Sequence, residues 1–327
     1  MSFTRDNVPA RRVAQAVGLG GIAVGIVAVV SMFQSRPINL LIAAASFVPL
    51  LIAVTAAGLV VSLVFRRWML VTASAVLLAV VSAVVGPLYV ADGHVADDEI
   101  PRGQTLRIMQ ANLLFGQADP GSVVATVRDN DVDALTVQEL THPLAQAMND
   151  LGLDDLLPYQ YLVPDDAGGA GAGIYSRYPL AETRELNGFG PTNLAARVDF
   201  PTSFDLVAVH PGPAYITPPD VWTAELDTLR VALEDLAATG SPVVVSGDFN
   251  TTYLHRQFRD LLDAGYSDAA DQLGTGIIPT YPTDKGFPAV IGIDHVLTRG
   301  AHAQSLQRIT VEGSDHHGLI VDVSFPS

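Results

Sequence analysis

Three apolar runs fill residues 13 to 90, separated only by short polar or basic breaks, and they commit this part of the chain to helices suited to a hydrocarbon environment. The first, from Val13 to Phe33, has no charge and is long enough for a helix to cross a bilayer core, which takes about 20 residues. The second, about residues 38–65, carries Pro49, so a tilt or kink is expected. The third, about residues 68–90, ends near Pro87 and Tyr89. Three transmembrane helices within residues 1–90 are the expectation. A cleaved secretory signal is the rival reading of the first run. No small-residue cleavage site is evident and two further runs follow at once, so the run reads as an anchor.

Basic residues set the expected orientation. Arg5, Arg11 and Arg12 precede the first run and Arg66 with Arg67 joins the second to the third, whereas the other flanks hold Arg36 and the acidic Asp92, Asp97, Asp98 and Glu99. The positive-inside rule then makes the N-terminus cytoplasmic, and an odd number of spans puts everything after Val90 outside the cell membrane. Gly21 and Gly25 form a GxxxG pair, a candidate homodimer face on the first helix. Without cysteine, the chain has neither a disulfide framework nor a thiolate zinc site.

Residues 91–103 are short, acidic and hold Pro101 and Gly103, which reads as a linker. At 3.3 to 3.6 Å per residue it spans at most roughly 50 Å, so the domain from 104 to 327 stays near the bilayer. In that domain short strand patterns alternate with helical ones. Strands are expected at 106–112, 134–137, 172–176, 194–200, 204–209, 243–245, 293–298, 303–310 and 319–323, with helices at 119–129 and 220–239. Adjacent strands without intervening helices argue for a mixed sheet or two packed sheets with helices outside, an α/β arrangement.

Nearly every polar residue of chemical interest follows one of these apolar runs. Glu139 at a strand end beside Asn112 makes an oxygen-rich site suited to Mg²⁺ or Mn²⁺, and Asp315 can complete it. Zinc would need histidines, and no HExxH occurs. Val243-Val244-Val245-Ser246-Gly247-Asp248-Phe249-Asn250 delivers a carboxylate and a carboxamide to one turn. Asp248 can orient or deprotonate a water, and Asn250 can donate to a phosphoryl oxygen. His316 can act on phosphate, with Asp294 holding its imidazole in one tautomer. The bland readings are that Asp248 and Asn250 form an ordinary turn, that Arg177 makes a structural ion pair instead of touching substrate phosphate, and that the other histidines are simply satisfied.

The blocks Gln110-Ala111-Asn112, Gln138-Glu139, Ser176-Arg177-Tyr178-Pro179, Val209-His210, Gly247-Asp248-Phe249-Asn250, Ile293-Asp294-His295 and Ser314-Asp315-His316 occur in one order across residues 104 to 327. In them the chain resembles the endonuclease/exonuclease/phosphatase superfamily, which includes deoxyribonucleases, sphingomyelinases and inositol-polyphosphate phosphatases. The resemblance implies a four-layer α/β sandwich, two packed mixed β-sheets flanked by helices. It implies metal binding by Asn112 and Glu139, contact of His210 with phosphate or the leaving group, and pairing of Asp294 with His316. Leu114 stands where the apurinic-nuclease branch has an acid, which argues against that branch.

The reaction is therefore expected to be metal-dependent phosphoester hydrolysis. From Ile100 onward the chain has 12 basic and 29 acidic residues, and Lys285 is its only lysine, so the basic stripe of a nucleic-acid binder is missing. The anchor points instead to lipid-linked phosphate or diphosphate at the outer leaflet. The loops holding Tyr215, Ile216, Trp222 and Phe287 could rest on membrane lipids. Membrane proteins of this superfamily associated with teicoplanin-type glycopeptide resistance are similar in layout, which implies a polyprenyl diphosphate as substrate. The alternatives are a membrane-tethered extracytoplasmic nuclease and a catalytically silent binding protein.

Overall fold

The computed structural model describes residues 8–91, 104–167 and 169–325. Arg5 and, apart from Ala91, the expected linker with its acidic residues lie outside the described residues. The chain forms two compact units, one running to Pro87 and including Leu254–Arg256, the other starting at Leu88 and holding the rest.

The first unit is helical. It comprises α1 (Val8–Phe33), α2 (Asn39–Ser46), α3 (Val48–Val64) and α4 (Trp68–Val85), followed by a 3-10 turn at Gly86–Tyr89. The α1 helix has 26 residues, about 39 Å at 1.5 Å per residue, and exceeds a hydrocarbon core of about 30 Å. Two helices are long and apolar enough to cross a membrane, and three if α2 and α3 count as one span bent by 79°. Pro49, in the first turn of α3, explains the break, since proline cannot donate an N–H to the preceding turn. The glycine pair of α1 faces inward. A Cβ at Gly21 would lie 3.0 Å from the Cα of Gly58, and one at Gly25 would lie 3.0 Å from the Thr55 side chain. The GxxxG face is thus filled by α3 of the same chain, which corrects the expectation of a dimer face there. Arg67 donates to the Arg11 carbonyl at 3.2 Å, so the basic flanks of α1 and α4 share one end of this unit.

The second unit contains two six-stranded sheets. Its strands are β1 (Thr105–Asn112), β2 (Ala134–Gln138), β3 (Tyr159–Val163), β4 (Ala172–Ser176), β5 (Leu180–Leu186), β6 (Asn193–Val198), β7 (Phe204–Val209), β8 (Val243–Asp248), β9 (Ser267–Asp268), β10 (Asp294–Arg299), β11 (His302–Thr310) and β12 (His317–Ser324). The strand orders are β11-β12-β1-β2-β4-β3 and β5-β6-β7-β8-β10-β9. Each sheet has one parallel pair, β1 with β2 and β7 with β8, among antiparallel neighbours. The helices are α5 (Pro120–Asp129), α6 (His142–Asp150), α7 (Leu153–Leu156), α8 (Pro219–Ala238), α9 (Arg256–Asp260) and α10 (Ala269–Gln272).

The period-two alternation of the strands builds four layers. Leu106, Ile108, Ile174, Leu206, Val244 and Val296 fill the space between the sheets. The opposite faces pack under helices, with Met109, Leu135 and Val137 against Val123 and Val127 of α5 and Met148 of α6, and with Val207, Val243 and Val245 against Leu229 and Leu233 of α8. The mixed-sheet sandwich expected from the sequence is the observed fold. Three edge strands escape the sequence reading: β3 and β5 because their residues are largely half-buried or exposed and their apolar signal is weak, and β9 because two residues carry no period.

Along the strands facing the second sheet, the same alternation turns polar towards one end. Leu106 and Ile108 are followed by Gln110 and Asn112, Ala134 by Thr136 and Gln138, and Val244 by Ser246 and Asp248, all buried. Thr136 and Ser246 join the two sheets through their hydroxyls at 2.8 Å. Apolar packing between the sheets thus gives way to a polar seam that opens at one edge.

Candidate active site

Strand direction decides which residues reach that edge. The parallel pairs bring there the C-terminal ends of β1, β2, β7 and β8, hence Asn112, Glu139, His210 and Asp248. Because β10 runs antiparallel to β8 and β12 to β1, their N-terminal ends lie at the same edge, adding Asp294, Asp315 and His316. Arg177 follows β4, which is antiparallel to β2, and therefore sits at the opposite edge. There it pairs with Asp133 at 3.4 Å and donates to the Val132 carbonyl at 3.1 Å. Its expected contact with substrate phosphate is corrected: Arg177 is a structural ion pair remote from the cluster.

Glu139 adopts a left-handed conformation, φ 59°, directly after β2. Its Oε1 accepts from Asn112 Nδ2 at 3.0 Å and its Oε2 from the Phe115 N–H at 2.7 Å. Asn112 Nδ2 also donates to Asp248 Oδ2 at 3.1 Å, while its Oδ1 accepts from the Leu114 N–H at 2.9 Å. The carboxamide therefore clamps two carboxylates, one from each sheet. Next to Glu139 the chain passes Gly171 so closely that a Cβ there would lie 1.9 Å from the Leu140 carbonyl oxygen.

On the second sheet, Asn193 Oδ1 accepts from the His210 backbone N–H at 2.7 Å and fixes where that residue leaves β7. Asp248 Oδ1 accepts from the Asn250 N–H at 2.8 Å, a local turn that aims Oδ2 inward. Asn250 Nδ2 donates to the Pro211 carbonyl at 2.9 Å. The expected phosphoryl donor is thus engaged in tying the Asp248 turn to the segment after His210. Asp294 accepts from His316 Nδ1 at 2.9 Å and from Gln110 Nε2 at 2.8 Å, the latter from the opposite sheet. His316 Nε2 lies 3.7 Å from Asp248 Oδ2 and 3.9 Å from Asp315 Oδ1.

These groups are electrostatically strained. Burial pushes Asp248 up to about 7, against the opposing attraction of His316. Burial also raises Glu139, although the Asn112 and Phe115 N–H groups and the His316 charge favour its ionised form, and it raises Asp315. For His316 burial works in the lowering direction, but Asp294 and Asp248 outweigh it and carry the imidazole to about 10. His210 goes the other way. Burial and then the His316 charge lower it to about 4, and its Nε2 lies 3.8 Å from both Glu139 and Asp248, beyond hydrogen-bonding reach. The site thus holds a charged imidazole and a neutral one side by side. That pairing lets one group stabilise negative charge while the other donates a neutral N–H.

Ligand atoms of Asp248, Asp294 and His316 lie within 4.8 Å of one another and could hold a metal ion. A protonated His316 bonded to Asp294 is a poor ligand, since both of its ring nitrogens carry protons. Each oxygen of Glu139 and Asp248 accepts one hydrogen bond and keeps a second lone pair for a cation, and the Asp315 carboxylate lies 3.9 Å from His316 Nε2 beside them.

Several contributors were given no role from the sequence. Gln110 and Gln138 form a buried carboxamide pair behind Asp294. Ser314 donates to the Asn112 carbonyl at 2.8 Å, and the Tyr281 ring packs 4.8 Å from the His316 ring. Gln110 carried a signal, being a polar residue on the core-facing register of a buried strand. Tyr281 carried none, because its loop has no periodicity. His295, expected to be merely satisfied, bonds Asp268 at 2.7 Å, and that carboxylate raises it against the lowering effect of burial.

A model of the Endonuclease/Exonuclease/phosphatase family matches residues 109–316. No curated protein matches the chain. Among solved structures, D. rerio TDP2 complexed with single-strand DNA product superimposes with a TM-score of 0.57 at 19% identity, covering 67% of this chain and 99% of that one. A mannosyl-6-phosphatase from Bacteroides thetaiotaomicron gives 0.51 at 15% identity, with 67% and 100% covered. A protein described as endonuclease/exonuclease/phosphatase from Beutenbergia cavernae gives 0.52 at 18% identity, with 68% and 72% covered. At these identities the likeness is one of fold.

Proposed function

The chain belongs to the endonuclease/exonuclease/phosphatase family, and from that premise we propose that it is a membrane-anchored, Mg²⁺-dependent phosphohydrolase acting outside the cell on a lipid-linked phosphate or diphosphate. The observation that carries the chemistry is the convergence of Glu139, Asp248, Asp294, Asp315, His210 and His316 on one edge of the sandwich.

The residues present fit a hard divalent cation. Four carboxylates face one charged imidazole, and burial raises Glu139, Asp248 and Asp315 above their ordinary range, as expected where negative charge is under-compensated. Glu139 and Asp315, with Asn112 beside them, would hold it through oxygen, a donor set suited to Mg²⁺ or Mn²⁺. When bound, the cation would neutralise phosphoryl oxygens and favour charge build-up on the leaving oxygen. Asp248 is the base in this reading, near neutrality and able to accept a proton from water. His316, kept charged by Asp294, stabilises negative phosphoryl oxygen, and neutral His210 donates its N–H to the same group. Asn112 and Gln110 keep the carboxylates in place.

The lipid part of the reading rests on the apolar helices, two or three of which could cross a membrane. With the bent pair counted as one span there are three crossings. Arg11, Arg12, Arg66 and Arg67 then mark the cytoplasmic end and residues after Val90 lie outside. A tethered nuclease is the second reading, favoured by the fold shared with a DNA-bound neighbour and disfavoured by the acidic domain. Glu139→Gln in the full-length protein tests the mechanism: loss of turnover with the fold retained is expected, and full activity would overturn it.

A further inference from the structure

Three loops that border the site each turn a large apolar side chain outward. Phe115 is 53% exposed, Tyr215 76%, Ile216 69% and Phe287 52%. Each loop is bonded to a residue of the cluster. The Phe115 N–H holds Glu139. The loop of Tyr215 and Ile216 starts at Pro211, whose carbonyl accepts from Asn250, and it closes on itself through Ile216 and Thr217 N–H bonds to Pro213. The loop of Phe287 starts at Thr283, which donates its N–H to the Asp315 carbonyl at 2.8 Å and its hydroxyl to that of Ser314 at 2.9 Å. These side chains are therefore presented by tied loops at the mouth of the site. Leu114 and Phe115 both adopt left-handed backbone, φ 46° and 50°, a conformation costly for bulky residues and characteristic of functional segments. Trp222, which the sequence grouped with this rim, is buried.

We infer that Phe115, Tyr215, Ile216 and Phe287, together with Lys285, form a surface by which this domain rests on a phospholipid bilayer. The occupant follows from three observations. Lys285, two residues before Phe287, is exposed and pairs with the equally exposed Asp284 at 2.7 Å, a surface pair worth little, so its ammonium can exchange onto lipid phosphate while the aromatic ring suits the acyl boundary. The same chain carries apolar helices that could cross a membrane. Between Ala91 and Gln104 lie only twelve residues, which span at most about 43 Å and keep the domain within reach of a bilayer. The other large apolar side chains exposed between Thr105 and Phe325, among the described residues, are Leu151 after α6, Tyr159 on β3, and Val221 and Val231 on α8. The consequence, which rests on the phosphohydrolase reading, is that substrate phosphate passes from the leaflet directly into the Glu139, Asp248 and His316 cluster.

The absence of cysteine allows a direct test on the full-length chain. Tyr215→Cys and Phe287→Cys, each carrying an environment-sensitive fluorophore, are reconstituted in vesicles of phosphatidylcholine with phosphatidylglycerol. Asp235→Cys, exposed near the far end of α8, is the control. Labels at 215 and 287 are expected to shift to the blue and to be quenched by lipids spin-labelled in the upper acyl chain, whereas the label at 235 is not. Equal and weak quenching at all three positions would overturn the docking surface. An Ile216→Ser/Phe287→Ser variant adds a functional readout. Its turnover of vesicle-borne lipid phosphate is expected to fall by about tenfold, with turnover of a soluble phosphoester unchanged. Quenching without lipid hydrolysis would leave docking standing and overturn the substrate reading, and hydrolysis without quenching would do the reverse.

Discussion

His316 Nδ1 and Asp294 Oδ2 lie 2.9 Å apart, and the second oxygen of Asp294 receives the Gln110 carboxamide from the opposite sheet at 2.8 Å. The imidazole charge at this site is thus set by a carboxylate that is itself held from across the sandwich. Asp294→Asn keeps the shape and removes the charge. His316 then loses the attraction that keeps it protonated, and kcat is expected to fall by a factor on the order of 10², as for removal of one oriented acid–base group. Steady-state kinetics alongside circular dichroism would check this, and an unchanged kcat would contradict the role assigned to the pair.

Gln110→Leu leaves the buried Asp294 Oδ1 without its donor. Loss of a charge-assisted hydrogen bond at a buried acceptor is expected to cost roughly 1 to 3 kcal/mol of stability. The catalytic effect should appear in kcat with KM unchanged, because Gln110 touches Asp294 and is remote from bulk substrate. Thermal unfolding and saturation kinetics on the same preparation separate the two effects.

Residues on regular strands explain why so much of the site was legible in the sequence. Asn112, Glu139, His210 and Asp248 follow apolar runs, and strand period and direction alone bring their side chains to one edge. The cross-sheet bonds were not legible, since no local pattern says that Gln110 will face Asp294, 184 positions away. Arg177 shows the limit of reading a strand end as a site, because β4 runs the other way and its C-terminal end is the wrong edge. The glycine pair of α1 shows a related limit: a small-residue face predicts close packing but not the partner, here α3 of the same chain.

The pH dependence follows from two opposed groups. Asp248, held near 7 without a cation, serves as the proposed base only when ionised, so the rate should rise with pH along an acid limb that bound Mg²⁺ moves below about 7. His316 must stay charged, and since it is held near 10 the rate should decline only as pH approaches that value. A bound cation favours the ionised carboxylates, so adding Mg²⁺ to the metal-free protein at pH 7 should release protons, measurable by calorimetry in buffers of different ionisation enthalpy.

Thr136 and Ser246 offer a test of the polar seam apart from catalysis. Thr136→Val strands the buried Ser246 hydroxyl and should destabilise the protein by about 1 to 3 kcal/mol. Adding Ser246→Ala removes the stranded group, so the double variant should recover part of that loss, a coupling that a double-mutant cycle in urea would resolve.

The most direct test of the central claim is product release by the full-length protein, wild type and Glu139→Gln in parallel, on polyprenyl diphosphate, a phospholipid panel and duplex DNA, each with Mg²⁺ and with EDTA. Phosphate release from a lipid substrate that is lost both in EDTA and in Glu139→Gln is the predicted result. Cleavage of DNA alone, or lipid hydrolysis that persists in EDTA, would contradict it.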